Sequence, residues 1–211
     1  MPHEAFRKPT RARRLSAVDH AQTCPPGTEK GWVALKPALE AGALIAAALL
    51  AVNNEDRNEI ELADLRSRKA SGTIALTGCD ESSGIAYDPV SGLALSACSN
   101  GKAALVNMKS RHLVSLLPIG QRPDTVLFDP KRHLFLVPCG QGGELNLFRV
   151  SMTGKVSPLS AVKTETGART AALDPVSGRV FLPAARFQPA EAGAKPAVEP
   201  GSFHLLVMTP Q

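Results

Sequence analysis

Aromatic side chains are scarce: one Trp, one Tyr and seven Phe make up 4% of 211 residues. That leaves little material for a broad stacking face of the kind that grips single-stranded nucleic acid or sugar rings. No apolar run reaches about eighteen residues, so no transmembrane helix is expected. Cysteine is limited to Cys24, Cys79, Cys98 and Cys139. They form no Cys-x-x-Cys pair and no Cys/His cluster at ligand spacing, so neither a zinc centre nor a disulfide framework is expected. His112 and His133 each stand alone at a turn or strand start and read as surface residues. There is no nucleophile elbow, no phosphate-cradling loop and no carboxylate pair, so no catalytic residue, metal or cofactor is assigned. Gly140-Gln141-Gly142-Gly143 reads as a hairpin turn, because no strand-to-helix context surrounds it.

No working export signal is expected either. Residues 43–52 have the length of a signal's apolar region, but they lie far from the start, behind Glu29, Lys30, Lys36 and Glu40. Arg13-Arg14-Leu15-Ser16 is similar to a twin-arginine signal, yet polar residues (Asp19, His20, Gln22) follow it.

What the chain has in quantity is turn formers, with 17 Gly and 17 Pro, which suits an all-β chain. The formal net charge of +5 is concentrated at the start, where Arg7, Lys8, Arg11, Arg13 and Arg14 face only Glu4. Residues 1–43 therefore read as a poorly ordered basic arm, with nucleic-acid attachment as a minor option.

The decisive feature is a repeat. Ile85-Ala86-Tyr87-Asp88-Pro89, Val126-Leu127-Phe128-Asp129-Pro130 and Ala172-Leu173-Asp174-Pro175 each run into Asp-Pro, with the Asp residues 41 and 45 positions apart. Blades of a β-propeller recur at about 40 to 45 residues. A hairpin follows each Asp-Pro: Pro fixes φ at the first corner, Asp bonds the neighbouring backbone, and Gly92 or Gly178 takes the left-handed position. His133 replaces that glycine in the middle repeat and must make the turn less comfortably. Asp88, Asp129 and Asp174 recur with the repeat and so take a fold role.

Further period-2 runs complete four strands per repeat, at 103–108 and 112–119, then at 144–150 and 155–163. Upstream, 59–63 and 73–76 fit the third and fourth strands of a preceding blade, with 44–52 as its second and no recognisable first. Downstream, 202–208 reads as a third strand after a Pro/Ala/Gly-rich mobile loop at 188–200. The expected fold is an incomplete β-propeller of about three to four four-stranded blades, at 44–77, 83–119, 123–165 and 168–209 within a domain of residues 44–211.

The runs Ser83-Gly84-Ile85-Ala86-Tyr87-Asp88-Pro89-Val90-Ser91-Gly92, Leu117-Pro118-Ile119-Gly120 and Gly167-Ala168-Arg169-Thr170-Ala171-Ala172-Leu173-Asp174-Pro175 resemble the YVTN-type repeat of the YncE-like propellers, related in fold to quinoprotein amine dehydrogenase. Pro200-Gly201-Ser202-Phe203-His204-Leu205-Leu206-Val207 is similar to their C-terminal end. The likeness covers residues 60–208. It implies a binding role in a periplasmic or other extracytoplasmic setting, and a truncated copy, since about seven blades need close to 300 residues.

Five positions before each repeated Asp stand Ser83, Asp124 and Arg169, equivalent places at the mouth of a propeller's channel. Such a ring suits a small polar or anionic ligand, a peptide or a protein. Binding or scaffolding is the leading function. The competing reading, a lactonase- or oxidoreductase-type propeller enzyme, requires a convergent cluster of Glu, Asp, Asn or His.

Cys98 and Cys139 fall nine residues after the Pro of their own repeats, too far apart in adjacent blades for a disulfide, and are expected as free buried thiols. An open ring leaves a blade face and a strand edge exposed, so self-association is expected unless Trp32-Val33-Ala34-Leu35 pairs with the last blade and closes the ring.

Overall fold

The computed structural model describes residues 43–46, 48–189 and 196–210. They contain no helix and sixteen strands. The first sheet holds β1 (Ala43–Ala46), β2 (Leu49–Asn54), β3 (Glu59–Asp64) and β4 (Lys69–Ala75). The second holds β5 (Ser82–Asp88), β6 (Leu93–Cys98), β7 (Lys102–Asn107) and β8 (His112–Pro118). The third is β9 (Leu127–Asp129), β10 (Leu134–Cys139), β11 (Glu144–Val150), β12 (Val156–Pro158) and β13 (Val162–Lys163), the last two both lying against β11. The fourth has three strands among the described residues, β14 (Ala172–Leu173), β15 (Val180–Ala184) and β16 (His204–Met208). All pairings are antiparallel and, except for β13 on β11, between chain neighbours, the up-and-down meander of a propeller blade.

The repeated Asp-Pro builds the turn expected of it. Asp88 accepts Val90 N–H at 2.9 Å and Ser91 Oγ–H at 2.7 Å; Asp129 accepts Lys131 N–H at 2.9 Å and Arg132 Nε–H at 2.6 Å. At Asp174 the Ser177 hydroxyl and then the Val176 N–H hold the carboxyl below its usual range. The corner that follows is left-handed in all three repeats, at Gly92 (φ 75), Gly178 (φ 74) and also His133 (φ 52), where a side chain bears the strain that glycine avoids.

Sheets stack in series because each central strand is apolar on both faces. All six residues of β6 are buried, as are all six of β10, since each lies in a sheet covered on both sides. One core, with Ala51, Ile60, Leu62, Val106 and Cys98, joins the first sheet to the second. Phe135, Phe148, Leu95 and Val137 join the second to the third, with the Phe128 and Phe135 rings 4.9 Å apart. Leu136, Leu145, Leu182 and Val180 join the third to the fourth. No buried cluster among the described residues joins the fourth sheet to the first; Leu50 and Val52 form a separate small cluster on the first sheet's opposite face. The first strands β1, β5, β9 and β14 follow one another along the inner side of this arc. The molecule is an open, incomplete β-propeller.

Two expectations need correction. The apolar run 44–52 is a hairpin, not one strand: Ala48 turns left-handed (φ 67), so β1 supplies a first strand and β2 the second. Both lie inside one hydrophobic run, where periodicity carries no boundary. The second concerns the cysteines. Cys79 and Cys98 form a disulfide, with Cα atoms 5.3 Å apart, while Cys139 is free and buried. Cys98 and Cys139, equivalent in adjacent blades, are not joined; Cys79 sits in the crossover from the first sheet to the second, against the end of β6. Cys24, the basic arm and residues 32–35 lie outside the described residues.

Candidate functional site

In an antiparallel four-strand meander, the start of the first strand, the end of the second and the start of the third lie at one end of the sheet. The crossovers between sheets arrive at this end, and there the three sequence-selected residues sit. Ser83 is the second residue of β5, Asp124 lies in the crossover ahead of β9, and Arg169 in the crossover ahead of β14.

Successive sheets make contact through these positions. Asn53 of β2, 2% exposed, donates from Nδ2 to the Ser83 carbonyl at 2.6 Å and accepts the Ser96 hydroxyl at 3.0 Å, tying sheet one to sheet two. Gly84 then meets the next crossover backbone to backbone. A Cβ on Gly84 would lie 2.6 Å from both the Asp124 carbonyl oxygen and the Val126 nitrogen, so only glycine permits this approach. Asp124 in turn faces Arg169, with Oδ2 3.7 Å from Nε and both side chains partly open to solvent. Asp124 and Arg169 are thus brought together as a pair; Ser83 is not, its carbonyl being held by Asn53 while the next residue, Gly84, meets the Asp124 crossover. Asn53 was not selected from the sequence. Its signal was an amide at the end of an apolar strand run, where a buried polar group demands partners.

The rim continues over the fourth sheet. His204, the first residue of β16, bonds the Ser202 carbonyl at 2.9 Å and Glu165 Oε1 at 3.0 Å; first that carbonyl and then that carboxylate raise its pKa above the ordinary value. Beside it Arg186 holds Glu199 through Nε at 2.9 Å and Nη2 at 3.2 Å. This pair latches the base of the β15–β16 connection, where Gln188 N–H bonds Ala197 O and Glu199 N–H bonds Arg186 O, both at 2.8 Å. The loop expected at 188–200 therefore starts as a paired ladder.

A groove of about 340 Å³ opens at the opposite end of the first two sheets, with Tyr87, Asp64, Lys109 and Arg111 among its walls. Arg111 is already engaged there, donating to the Ser71 carbonyl at 2.6 Å. A smaller cleft of about 220 Å³ lies between Ile119 and the break separating β12 from β13. No three His, Cys, Asp or Glu side chains come together to hold a metal among the described residues. His112 opens strand β8 and His133 stands in the turn before β10, apart from each other and from the rim.

No family model matches this chain, and no curated protein does. Among solved structures, it is similar to Kuenenia stuttgartiensis hydrazine synthase, with TM-score 0.63 and 13% identity, covering 81% of this chain and 49% of that one. It is also similar to a chain of the mitotic checkpoint complex, with TM-score 0.58 and 17% identity, covering 67% of this chain and 45% of that one. Both likenesses are of propeller type and concern the fold. The chain spans about half the length of these neighbours.

Proposed function

We propose that this chain is a non-catalytic binding or scaffold module of the YncE-like kind, holding a peptide or protein segment, or a small polar ligand, against the rim formed by Ser83, Asp124 and Arg169. The observation that carries this reading is the unbroken succession of rim contacts. Asn53 reaches Ser83, Gly84 abuts Asp124, and Asp124 faces Arg169, so three sheet junctions present one polar strip. An Asp and an Arg 3.7 Å apart and partly solvated give a ligand one acceptor and one charged donor side by side. One structural neighbour is a chain of a multi-protein complex, which favours a protein or peptide over a metabolite. An extracytoplasmic setting belongs to the same reading: the Cys79–Cys98 disulfide persists in oxidising compartments and is reduced in most cytosols. Self-association through the open end of the arc belongs to it as well.

The test is selection of displayed random peptides on the full chain, with Asp124→Asn/Arg169→Ala as the discriminating variant. Both side chains are partly exposed, so the variant keeps the fold. Enriched peptides should bind the wild type and lose about tenfold or more against the double variant, the loss of one charge-assisted contact. Peptides that bind both proteins equally would place recognition elsewhere and overturn this assignment.

A further inference from the structure

Opposite the rim lie the turns between first and second strands and between third and fourth strands. They join into one surface. A groove with Ala48, Asp64, Lys109 and Arg111 in its walls runs between the turns of the first and second sheets. A Cβ on Gly154, in the β11–β12 turn, would lie 4.0 Å from Leu93 Cδ1 at the start of β6, so the third sheet's turn lies beside the second sheet's hairpin. Lys131 donates to the Val176 carbonyl and Arg132 to the Gly178 carbonyl, both at 2.7 Å, which joins the Asp-Pro hairpins of the third and fourth sheets.

This surface is basic. The β3–β4 turn exposes Arg66, Arg68 and Lys69, and the β7–β8 turn exposes Lys109 and Arg111. Lys131 and Lys155 follow on the third sheet and Arg179 on the fourth, all exposed. None of them forms an ion pair among the described residues. The carboxylates at this end, among the described residues, are Asp64, Asp88, Asp129 and Asp174. Each is occupied within its own turn, accepting backbone N–H groups of the residues that follow. The rim end of the first two sheets instead exposes Glu55, Asp56, Asp80 and Glu81, set against Arg57 and Lys102.

Among the cations of the turn surface stand exposed apolar side chains. Leu65 is 38% exposed, Val90 64%, Met152 80% and Val176 80%, one on each sheet and each in a turn. Val90 and Val176 hold the same place, two residues after the repeated Asp, and their N–H groups are anchored by Asp88 and Asp174 at 2.9 Å. A single exposed apolar residue is ordinary. One from every sheet, gathered on one basic surface, is a pattern that water alone does not favour.

We propose that this turn surface docks on an anionic lipid bilayer, with Leu65, Val90, Met152 and Val176 entering the headgroup boundary and the flanking lysines and arginines meeting lipid phosphates. The combination selects the partner. A nucleic-acid duplex calls for cations and gains nothing from apolar tips, whereas a bilayer interface takes up both. Docked this way, the exposed carboxylates of the rim end point away from the anionic lipid, and the rim of Ser83, Asp124 and Arg169 stays open to solvent.

Vesicle sedimentation of the full chain tests this, in a parent carrying Arg7→Gln/Lys8→Gln/Arg11→Gln/Arg13→Gln/Arg14→Gln so that the basic N-terminal residues add no charge. The probes are pure phosphatidylcholine vesicles and vesicles with about 30% phosphatidylglycerol. The parent should pellet with the anionic vesicles only, and less so as salt rises. Each Lys or Arg near an anionic surface strengthens binding about fivefold, so Lys109→Gln/Lys155→Gln/Arg179→Gln should weaken it by about tenfold or more. Val90→Ser/Met152→Ser/Val176→Ser keeps every charge and should also lose about tenfold or more. All of these side chains are exposed, so both variants should keep the parent's urea midpoint, and either variant decides alone should the other lose its fold. A parent that ignores anionic vesicles, a parent that binds a DNA duplex more tightly than it binds them, or a folded variant of either kind that binds them as well as the parent would overturn the proposal.

Discussion

Reducing the Cys79–Cys98 bond removes a constraint whose size follows from the chain it closes. The two residues are 19 apart in sequence. Cross-linking a loop of that length lowers the entropy of the unfolded chain by about 11 cal/mol/K, or about 3 kcal/mol at room temperature. The native state changes little, because Cys79 and Cys98 are buried among Ile74, Leu76 and Ala104 whether or not the sulfurs are joined. With a urea slope of about 2 kcal/mol/M for a domain of this size, the unfolding midpoint should fall by about 1.5 M when reductant is added. Cys79→Ala/Cys98→Ala should unfold near the reduced midpoint and ignore reductant. Alanine is the right replacement, since a serine hydroxyl at these sites would be buried without a partner. Alkylation in denaturant should count two more thiols after reduction than before. Cys139 should resist alkylation in the native protein, since burial, aided by Glu144, pushes its thiol up to about 12. Equal midpoints with and without reductant, or equal thiol counts, would refute the pairing and the reasoning from loop length.

Gly84→Ala drives a Cβ to 2.6 Å from backbone atoms of the neighbouring crossover and should cost about 1–3 kcal/mol in urea unfolding; a neutral result would mean the rim junction is looser than described. Gly120 lies 41 residues after Cys79, as Cys139 lies 41 after Cys98, and a Cβ there would be 2.7 Å from the Cys139 Cβ. Gly120→Cys should therefore form a second staple once the Glu144 carboxylate swings aside and the backbone shifts by about an ångström, seen as two further thiols protected in the mass spectrum. His204 should titrate by NMR above its ordinary 6.5, and Glu165→Gln should bring the midpoint only part of the way back, because the Ser202 carbonyl is the larger cause. Its folded pKa is raised, so its contribution is full below the unfolded value and is lost as pH rises through the folded one; a wild-type midpoint at or below 6.5 contradicts the His204 contacts with Ser202 and Glu165.

The blades were legible because their turns are written in local chemistry. Asp88, Asp129 and Asp174 each need only the next few residues to form their hydrogen bonds, so the Asp-Pro hairpins could be read from short stretches. The β1–β2 turn carries no such mark: Ala48 is left-handed inside an uninterrupted apolar run. The disulfide was hidden for a different reason. Comparing Cys98 with Cys139 follows the repeat, whereas its true partner lies in a crossover, where the repeat is irregular. The shared offset of Ser83, Asp124 and Arg169 from the repeated Asp puts all three at the same end of their sheets. What that offset does not encode is side-chain direction, and so the Asp124–Arg169 pair and the buried Asn53 amide emerged only from the packing of one sheet on the next.

Amide hydrogen exchange on the full chain tests the serial stacking of sheets most directly. Stability is distributed by burial, and the slowest amides report the most deeply covered strands. The account predicts that β6 and β10, buried along their whole lengths, exchange slowest, with β7 and β11 close behind. The exposed outer strands β4 and β8 and the hairpins after Asp88, Asp129 and Asp174 should exchange fast, so that protection rises and falls with the 41- and 45-residue spacing of the repeat. Protection concentrated in β4 and β8, or lacking that period, would contradict the open propeller.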